Sequence, residues 1–213
     1  MPAAKIKICG ISTRETLNAV IAARADFVGL NFYAPSPRFV DSRQAAELAA
    51  QADGRIARVG VFVEPDDALL GEAIAAGRLD AVQFHGDESP ERLAQARARF
   101  GLPVWKAVPV ARAEDIASAG RFAGVADFIL FDAKTPKGTL PGGMGLSFDW
   151  SLLAAWKDRA PWGLAGGLST ANVAEAVRAT AARMVDTSSG VESAPGIKDE
   201  GRIAAFCAAV RSA

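Results

Sequence analysis

The chain has 213 residues, with 24 Lys+Arg against 24 Asp+Glu, and half of its residues are hydrophobic. A formal net charge of zero and an aromatic content of only 8% exclude the strongly basic surface by which proteins grip nucleic acids or anionic membranes. The length suits one large hydrophobic core, and no linker rich in Pro, Ser or charge divides it, so we expect residues 1–213 to form a single domain.

The cysteine content indicates a reduced compartment. Cys9 and Cys207 lie near opposite ends of the chain, whereas secreted disulfide scaffolds carry closely spaced, even sets. There is no Cys-x-x-Cys pair and a single histidine, so we expect no metal site. The N-terminus shows no cationic segment followed by a long apolar core, and no apolar run reaches the roughly 18 residues of a membrane span. We therefore expect a cytoplasmic protein that contacts no membrane.

Short apolar runs rich in β-branched or aromatic residues alternate along the chain with Ala-rich amphipathic stretches, which predicts alternating strands and helices. The predicted strands are Lys5–Ile11, Asp26–Tyr33, Arg55–Val63, Leu79–His85, Val104–Val110, Ala126–Asp132, Trp162–Gly166 and Arg183–Ser188. The predicted helices are Thr13–Arg24, Ser42–Gln51, Pro65–Ala76, Pro90–Phe100, Ala113–Phe122, Thr170–Ala181 and Lys198–Arg211, with a weaker pattern at Trp150–Lys157.

This alternation predicts an α/β fold with parallel strands. A doubly wound open sheet is the main alternative, but the first strand ends in Cys9-Gly10-Ile11 without the G-x-G-x-x-G fingerprint of that class. Eight strand–helix units of about 27 residues each fit short βα loops and favour closure into a (β/α)8 TIM barrel.

In such barrels the reactive groups project from the C-terminal ends of the strands, and phosphate is commonly bound by the loops after strands 7 and 8. Those loops contain Gly166-Gly167 and Ser188-Ser189-Gly190. Glycine allows the backbone to approach an anion closely, and the bare N–H groups bind it. A tight βα turn is the simpler interpretation of each loop alone, but two such loops at both expected positions predict a phosphorylated substrate.

Two strand ends carry groups suited to proton transfer. Cys9 ends strand 1 on the same side as Lys7, and a lysine beside it would favour the thiolate by lowering the pKa of the thiol. Asp132 ends an almost wholly apolar strand, where partial desolvation suits a carboxyl group to act as a general acid, although a helix cap or an ion pair with Lys134 is the default for a lone Asp. Cys207 lies on an apolar helix face and is expected only to pack.

Two further residues are expected to line the site. His85, at the end of strand 4, is the single histidine and is interpreted as a hydrogen-bonding wall residue. Arg38 follows two prolines in the loop after strand 2, and a stiff loop is what a guanidinium aimed at a carboxylate would need. The glycine-rich stretch 134–145, directly after Asp132, is expected to form an active-site lid. Strand parity further predicts a polar layer inside the barrel, made of Lys7, Gln83, Lys106 and Asp186.

Six segments in order along the chain resemble the phosphoribosylanthranilate isomerase family of tryptophan biosynthesis. They are Lys7-Ile8-Cys9-Gly10-Ile11, Val82-Gln83-Phe84-His85-Gly86, Phe131-Asp132-Ala133-Lys134, Gly142-Gly143-x-Gly145, Ala165-Gly166-Gly167-Leu168 and Asp186-Thr187-Ser188-Ser189-Gly190-Val191-Glu192.

The resemblance implies an Amadori rearrangement of N-(5-phosphoribosyl)anthranilate without a cofactor or metal. It assigns Asp132 as general acid, Cys9 as general base and Arg38 as the partner of the anthranilate carboxylate. It assigns the phosphate group to Gly166, Gly167, Ser188, Ser189 and Gly190.

Two alternatives stay open at this point. The related isomerase of histidine biosynthesis performs the same rearrangement on a bisphosphate, but it uses a carboxylate where Cys9 stands. A catalytically silent phosphate-binding barrel is the other. The fold is compatible with a monomer or a homodimer.

Overall fold

The structure is a computed structural model that describes residues 4–136, 142–156 and 160–213. Eight parallel strands follow one another around a closed barrel, each paired with its neighbours in sequence, and β1 pairs with β8. The strands are β1 (Lys5–Cys9), β2 (Phe27–Asn31), β3 (Ala57–Phe62), β4 (Ala81–Phe84), β5 (Val104–Val110), β6 (Phe128–Ala133), β7 (Trp162–Leu164) and β8 (Met184–Thr187). The predicted (β/α)8 TIM barrel is confirmed.

Helices surround this barrel. They are α1 (Arg14–Ala22), α2 (Ser42–Ala52), α3 (Asp67–Gly77), α4 (Pro90–Phe100), α5 (Ala113–Ser118), α6 (Val173–Thr180) and α7 (Glu200–Arg211). Several begin at a side-chain cap: Ser89 accepts a hydrogen bond from the N–H of Arg92 ahead of Pro90 at the first helical position, an arrangement that fixes a helix start. Among the described helices, none is long and apolar enough to cross a membrane.

Three predicted helices differ from the structure. The weak pattern at Trp150–Lys157 forms a 3₁₀ helix over Trp150–Ala155, and Lys157 lies outside the described residues. The end of the predicted fifth helix is a 3₁₀ turn, Ala119–Phe122. Lys198, predicted as helical, belongs to a small hairpin of β9 (Glu192–Ala194) and β10 (Ile197–Lys198) that the sequence analysis did not predict.

Alternate residues of each strand face the barrel interior or the helices. The interior cluster includes Val59, Trp105, Ala107, Leu130 and Met184, whereas their strand neighbours belong to the larger core between strands and helices. Lys7, Gln83 and Asp186 share the interior parity, as predicted, and are buried.

Lys106 was wrongly predicted to join this layer. Its neighbours Trp105 and Ala107 occupy the interior, so Lys106 points to the helix side, where its Nζ lies 3.0 Å from Glu88 Oε2 and also donates to the carbonyl of Gly86. Both faces of β5 are apolar apart from Lys106, so strand alternation alone did not reveal which face is inside.

Aspartates tie the N-terminal ends of alternate strands together. The residue just before β2, β4 and β6 is an Asp whose Oδ2 accepts a backbone N–H of the preceding strand: Asp26 from Ile6, Asp80 from Arg58 and Asp127 from Val104, each at 2.8 Å. These bonds lie at the end of the barrel away from the strand ends that carry chemistry in this fold, where such residues contribute to stability.

We therefore expect Asp26→Ala to lower stability without affecting activity. The substitution removes the acceptor of the Ile6 N–H, which costs about 1 kcal/mol and about 2–4 °C in Tm for a chain of this size. Urea unfolding and thermal melting measure the loss. A fall in kcat without loss of stability would contradict this assignment.

Candidate active site

A cavity opens at the C-terminal ends of the barrel strands, which is where barrels of this fold bind small molecules. It brings together eight of the nine predicted site residues. They are Cys9, Arg38, His85, Asp132, Gly166, Gly167, Ser188 and Ser189. The ninth, Gly190, does not line the cavity; it packs against the carbonyl of Leu168 beneath it, where a Cβ would collide.

Cys9 lies at the inner end of β1, beside a buried ion pair. Lys7 Nζ is 3.1 Å from Asp186 Oδ2, and Lys7 is fully buried. Burial raises the pKa of the Cys9 thiol above its ordinary value, and the Lys7 charge offsets this only in part. The expectation of a lowered thiol pKa is therefore wrong, because the cost of desolvating a thiolate exceeds the attraction of a lysine that is already paired.

Asp132 is held by its own backbone and by His85. Its Oδ1 accepts the N–H of Ala133 at 2.8 Å, and its Oδ2 lies 3.2 Å from His85 Nε2. The other ring nitrogen, Nδ1, is 3.3 Å from the amide nitrogen of Gln83. His85 is thus a hydrogen-bonding wall residue, as expected, and it orients the carboxyl group. Lys134, the alternative partner for Asp132, pairs instead with Asp115.

Asp186 adds a second carboxyl group to the cavity wall. Its Oδ1 is buried and has no hydrogen-bond partner among the described residues. Burial raises the pKa of Asp186, with Lys7 opposing and Asp132 adding to the effect. Sequence reasoning placed Asp186 in the polar layer but gave it no site role, since its pairing with Lys7 spans 179 positions of the chain.

Gly29 allows β2 to lie close to the thiol of Cys9. A Cβ on Gly29 would lie 2.7 Å from Cys9 Sγ, so no larger residue fits without moving the sulfur. Gly29 was not predicted as a site residue, although a glycine inside a strand is a signal of a close approach.

Arg38 is buried and already paired. Its Nε and Nη2 donate to Oε1 and Oε2 of Glu192 at 2.7 and 2.8 Å, and Nη2 also donates to the carbonyl of Gly143 at 3.0 Å. The prolines before Arg38 were the predicted source of its orientation. The structure adds Glu192, which sequence reasoning did not assign.

The two predicted phosphate loops, after β7 and β8, meet at the cavity. Thr187 Oγ1 donates to the carbonyl of Leu168 at 2.7 Å and joins the loop after β7 to the loop after β8. Gly166 and Gly167 have φ of 86° and 62°, which glycine adopts without strain. Their N–H groups, with that of Ser189, make no hydrogen bond among the described residues and are available to an anion.

Part of the predicted lid 134–145 lies over these groups, while 137–141 lie outside the described residues. Gly142 lies against His85 and Asp132, Gly143 against Arg38, and the carbonyls of Gly145 and Leu146 against Gly167. The described end of the segment therefore contacts Asp132, His85, Arg38 and the loop after β7. Within the described residues, no group of three or more His, Cys, Asp or Glu side chains is placed to hold a metal ion.

Gly142→Ala tests the importance of this covering segment. A Cβ there would lie 3.0 Å from Asp132 Oδ2 and 2.9 Å from His85 Cε1, so we expect kcat/KM to fall about 10- to 100-fold through misplacement of the carboxyl group. Gly54→Ala is the matched control, because the φ of Gly54 is 71°, close to the 72° of Gly142, but the space around Gly54 is open. It should cost about 1 kcal/mol of stability and leave kcat/KM unchanged; equal activities of the two variants would contradict the close contact.

Sequence comparisons agree with this geometry. The family model described as N-(5'-phosphoribosyl)anthranilate isomerase matches residues 6–209. The protein of that name from Paramagnetospirillum magneticum is 52% identical over 208 residues, with 97% of each chain covered. The one from Rhodopseudomonas palustris is 51% identical over 208 residues, covering 97% of this chain and 95% of the relative.

Solved structures give the same result. Phosphoribosylanthranilate isomerase from Thermotoga maritima superposes with a TM-score of 0.90 at 34% identity, covering 99% of this chain and all of that one. A structure of the isomerase in complex with reduced 1-(o-carboxyphenylamino)-1-deoxyribulose 5-phosphate superposes with a TM-score of 0.87 at 32% identity and the same coverage. A further Thermotoga maritima structure shows monomers generated from a dimeric enzyme. The chain belongs to the N-(5'-phosphoribosyl)anthranilate isomerase family.

Proposed function

We propose that this protein isomerises N-(5'-phosphoribosyl)anthranilate in tryptophan biosynthesis, with Asp132 as general acid and Cys9 as general base. The observation that carries the proposal is the shared cavity, in which a thiol and a carboxyl group from β1 and β6 line the same space as two glycine loops. A phosphate held by those loops places the attached sugar beside both groups.

The first step is ring opening. Asp132 protonates the furanose ring oxygen as the C1–O bond breaks, and the anilino nitrogen lone pair forms a C1=N⁺ iminium. His85 supports Asp132 in either protonation state, because the Gln83 amide has both a donor and an acceptor to offer Nδ1. The ring can thus donate to the carboxylate or accept from the carboxylic acid.

The second step is removal of the C2 proton. The iminium makes the neighbouring C–H acidic, so the Cys9 thiolate takes the proton and the C–H electron pair forms C1=C2 while neutralising the nitrogen. The resulting enolamine gains a proton at C1 and loses one from the C2 hydroxyl, which gives the ketone. The positive iminium also favours the nearby thiolate, which offsets the burial that raises the pKa of Cys9.

Loss of substrate fluorescence on adding the purified protein tests the activity. The proposal predicts turnover of the anthranilate riboside phosphate, accompanied by thermal stabilisation with inorganic phosphate. Stabilisation without turnover would identify a silent phosphate-binding barrel, and turnover of only the bisphosphate of histidine biosynthesis would identify the related isomerase. Sedimentation distinguishes the monomer from the homodimer, both of which we expect to be compatible with activity.

A further inference from the structure

Glu192 binds the guanidinium of Arg38. Both carboxylate oxygens are used, in the paired geometry that fixes a guanidinium in position and orientation. Arg38 and Glu192 are 8% and 6% exposed, so the pair is shielded from the screening that weakens surface ion pairs. Nη1 of Arg38 lies beside Gly143 and makes no hydrogen bond to any described residue. It is therefore the donor of the guanidinium that is available to a ligand.

Glu192 also binds a second cation, Lys198. Lys198 Nζ is 2.7 Å from Glu192 Oε1, and it also donates to the carbonyl and the hydroxyl of Ser188 at 3.0 and 3.1 Å. Ser188 Oγ in turn donates to the carbonyl of Cys9 at 3.1 Å. One buried carboxylate therefore connects the loop after β2, the predicted phosphate loop after β8 and the end of β1.

The charges of this cluster do not cancel. Two cations face one carboxylate, which leaves one positive charge at a buried edge of the cavity. Burial opposes ionisation of Glu192, but the hydrogen bonds from Arg38 and Lys198 lower the pKa of Glu192 to about 2. The carboxylate thus stays ionised at working pH. Burial lowers the pKa of Lys198, and Glu192 opposes this effect; with both cations protonated, the cluster carries one positive charge that attracts an anion.

We propose that Glu192 is a positioning residue for substrate recognition, because it orients Arg38 toward the substrate carboxylate. Glu192 also neutralises the charge of Arg38, and Lys198 supplies the positive charge that remains for the substrate carboxylate. The inference rests on the proposed function, because it takes the aromatic carboxylate as the ligand of Arg38. It assigns specificity to the short hairpin β9–β10, which carries both Glu192 and Lys198.

The test compares two substrates that differ only in that group, the anthranilate riboside phosphate and the aniline riboside phosphate, which lacks the carboxylate. Glu192→Gln keeps the shape but replaces one of the two accepting oxygens by an NH2 donor, so the paired contact that orients Arg38 is lost. We expect roughly a 10- to 100-fold loss of preference for the carboxylated substrate from this loss of orientation. The loss should lie in KM with kcat changed much less. Glu200→Gln, the same substitution at an exposed site on α7, should leave the preference unchanged.

Three outcomes decide the proposal. An equal loss of kcat/KM for both substrates after Glu192→Gln would show a merely structural role and overturn it. Arg38→Met should abolish the preference, and adding Glu192→Gln to it should change the preference no further. If Arg38→Met leaves the preference for the carboxylated substrate intact, Arg38 does not bind the substrate carboxylate, and both that part of the proposed function and this inference fail. If Arg38→Met abolishes the preference but Glu192→Gln leaves it intact, only this inference fails.

Two further measurements test the inference if Glu192→Gln folds poorly or if turnover of the substrates is not detected. Lys198→Met leaves Arg38 paired with Glu192 but removes the excess charge, so it should also reduce the preference; an unchanged preference would contradict the charge argument. The Kd of reduced 1-(o-carboxyphenylamino)-1-deoxyribulose 5-phosphate, compared with that of its counterpart without the carboxylate, reports the same preference without any chemical step.

Discussion

Asp132→Asn should reduce kcat by about 10²- to 10⁴-fold, the usual contribution of a positioned general acid. Asparagine matches the shape of the side chain and keeps an oxygen for the N–H of Ala133, which lies 2.8 Å from Oδ1. It has no acidic proton for the ring oxygen. The Kd of the reduced product should therefore change little, which separates loss of chemistry from loss of binding.

Asp127→Asn is the matched control for this prediction. Asp127 lies just before the same strand, at the opposite end of the barrel, where it accepts the N–H of Val104. We expect its kcat to equal that of the wild type, with any deficit confined to stability. A near-normal kcat for Asp132→Asn would exclude the acid role.

Cys9→Ser should produce a comparable loss, because a hydroxyl is a far weaker acid than a thiol and is not converted to a usable base near neutral pH. We expect kcat to fall about 10²- to 10⁴-fold. Cys207→Ser is the control: Cys207 is fully buried on α7, so its loss should lower stability but not kcat. Full activity of Cys9→Ser would eliminate the thiol as base.

The pH dependence of kcat/KM follows from the ionisation of Cys9. Thiolate increases with pH, and burial raises the pKa of Cys9 in the free protein, so kcat/KM should rise with pH through a range above that of an ordinary thiol. The rise of kcat should occur at a lower pH than the rise of kcat/KM, because the iminium formed in the enzyme–substrate complex favours the thiolate. Identical limbs, or a profile without a rise, would contradict this coupling.

The order of strands, the barrel and most of the site were predictable because local patterns determine them. Strand alternation placed Lys7 and Asp186 inside, and the C-terminal ends of parallel strands necessarily surround one opening. The same alternation failed for Lys106, whose strand is apolar on both faces, so only the closed barrel reveals which face is inside.

Long-range pairing accounts for what was missed. Glu192 meets Arg38 across 154 positions of the chain, through a hairpin of three and two residues that is too short to give a hydrophobic period. The thiol pKa was predicted in the wrong direction for a related reason: Lys7 was adjacent in the strand, but its pairing with Asp186 and the extent of burial are properties of the folded barrel.

Single-turnover kinetics with enzyme in excess give the sharpest test of Asp132 and Cys9 as the acid and the base, because they observe the rearrangement without product release. The substrate fluorescence is followed after mixing with wild type, Asp132→Asn, Cys9→Ser and Asp127→Asn. We expect rapid, complete conversion by wild type and Asp127→Asn, and conversion at least about 100-fold slower by Asp132→Asn and by Cys9→Ser. Conversion by either cavity variant at the wild-type rate would show that the pair does not carry the reaction.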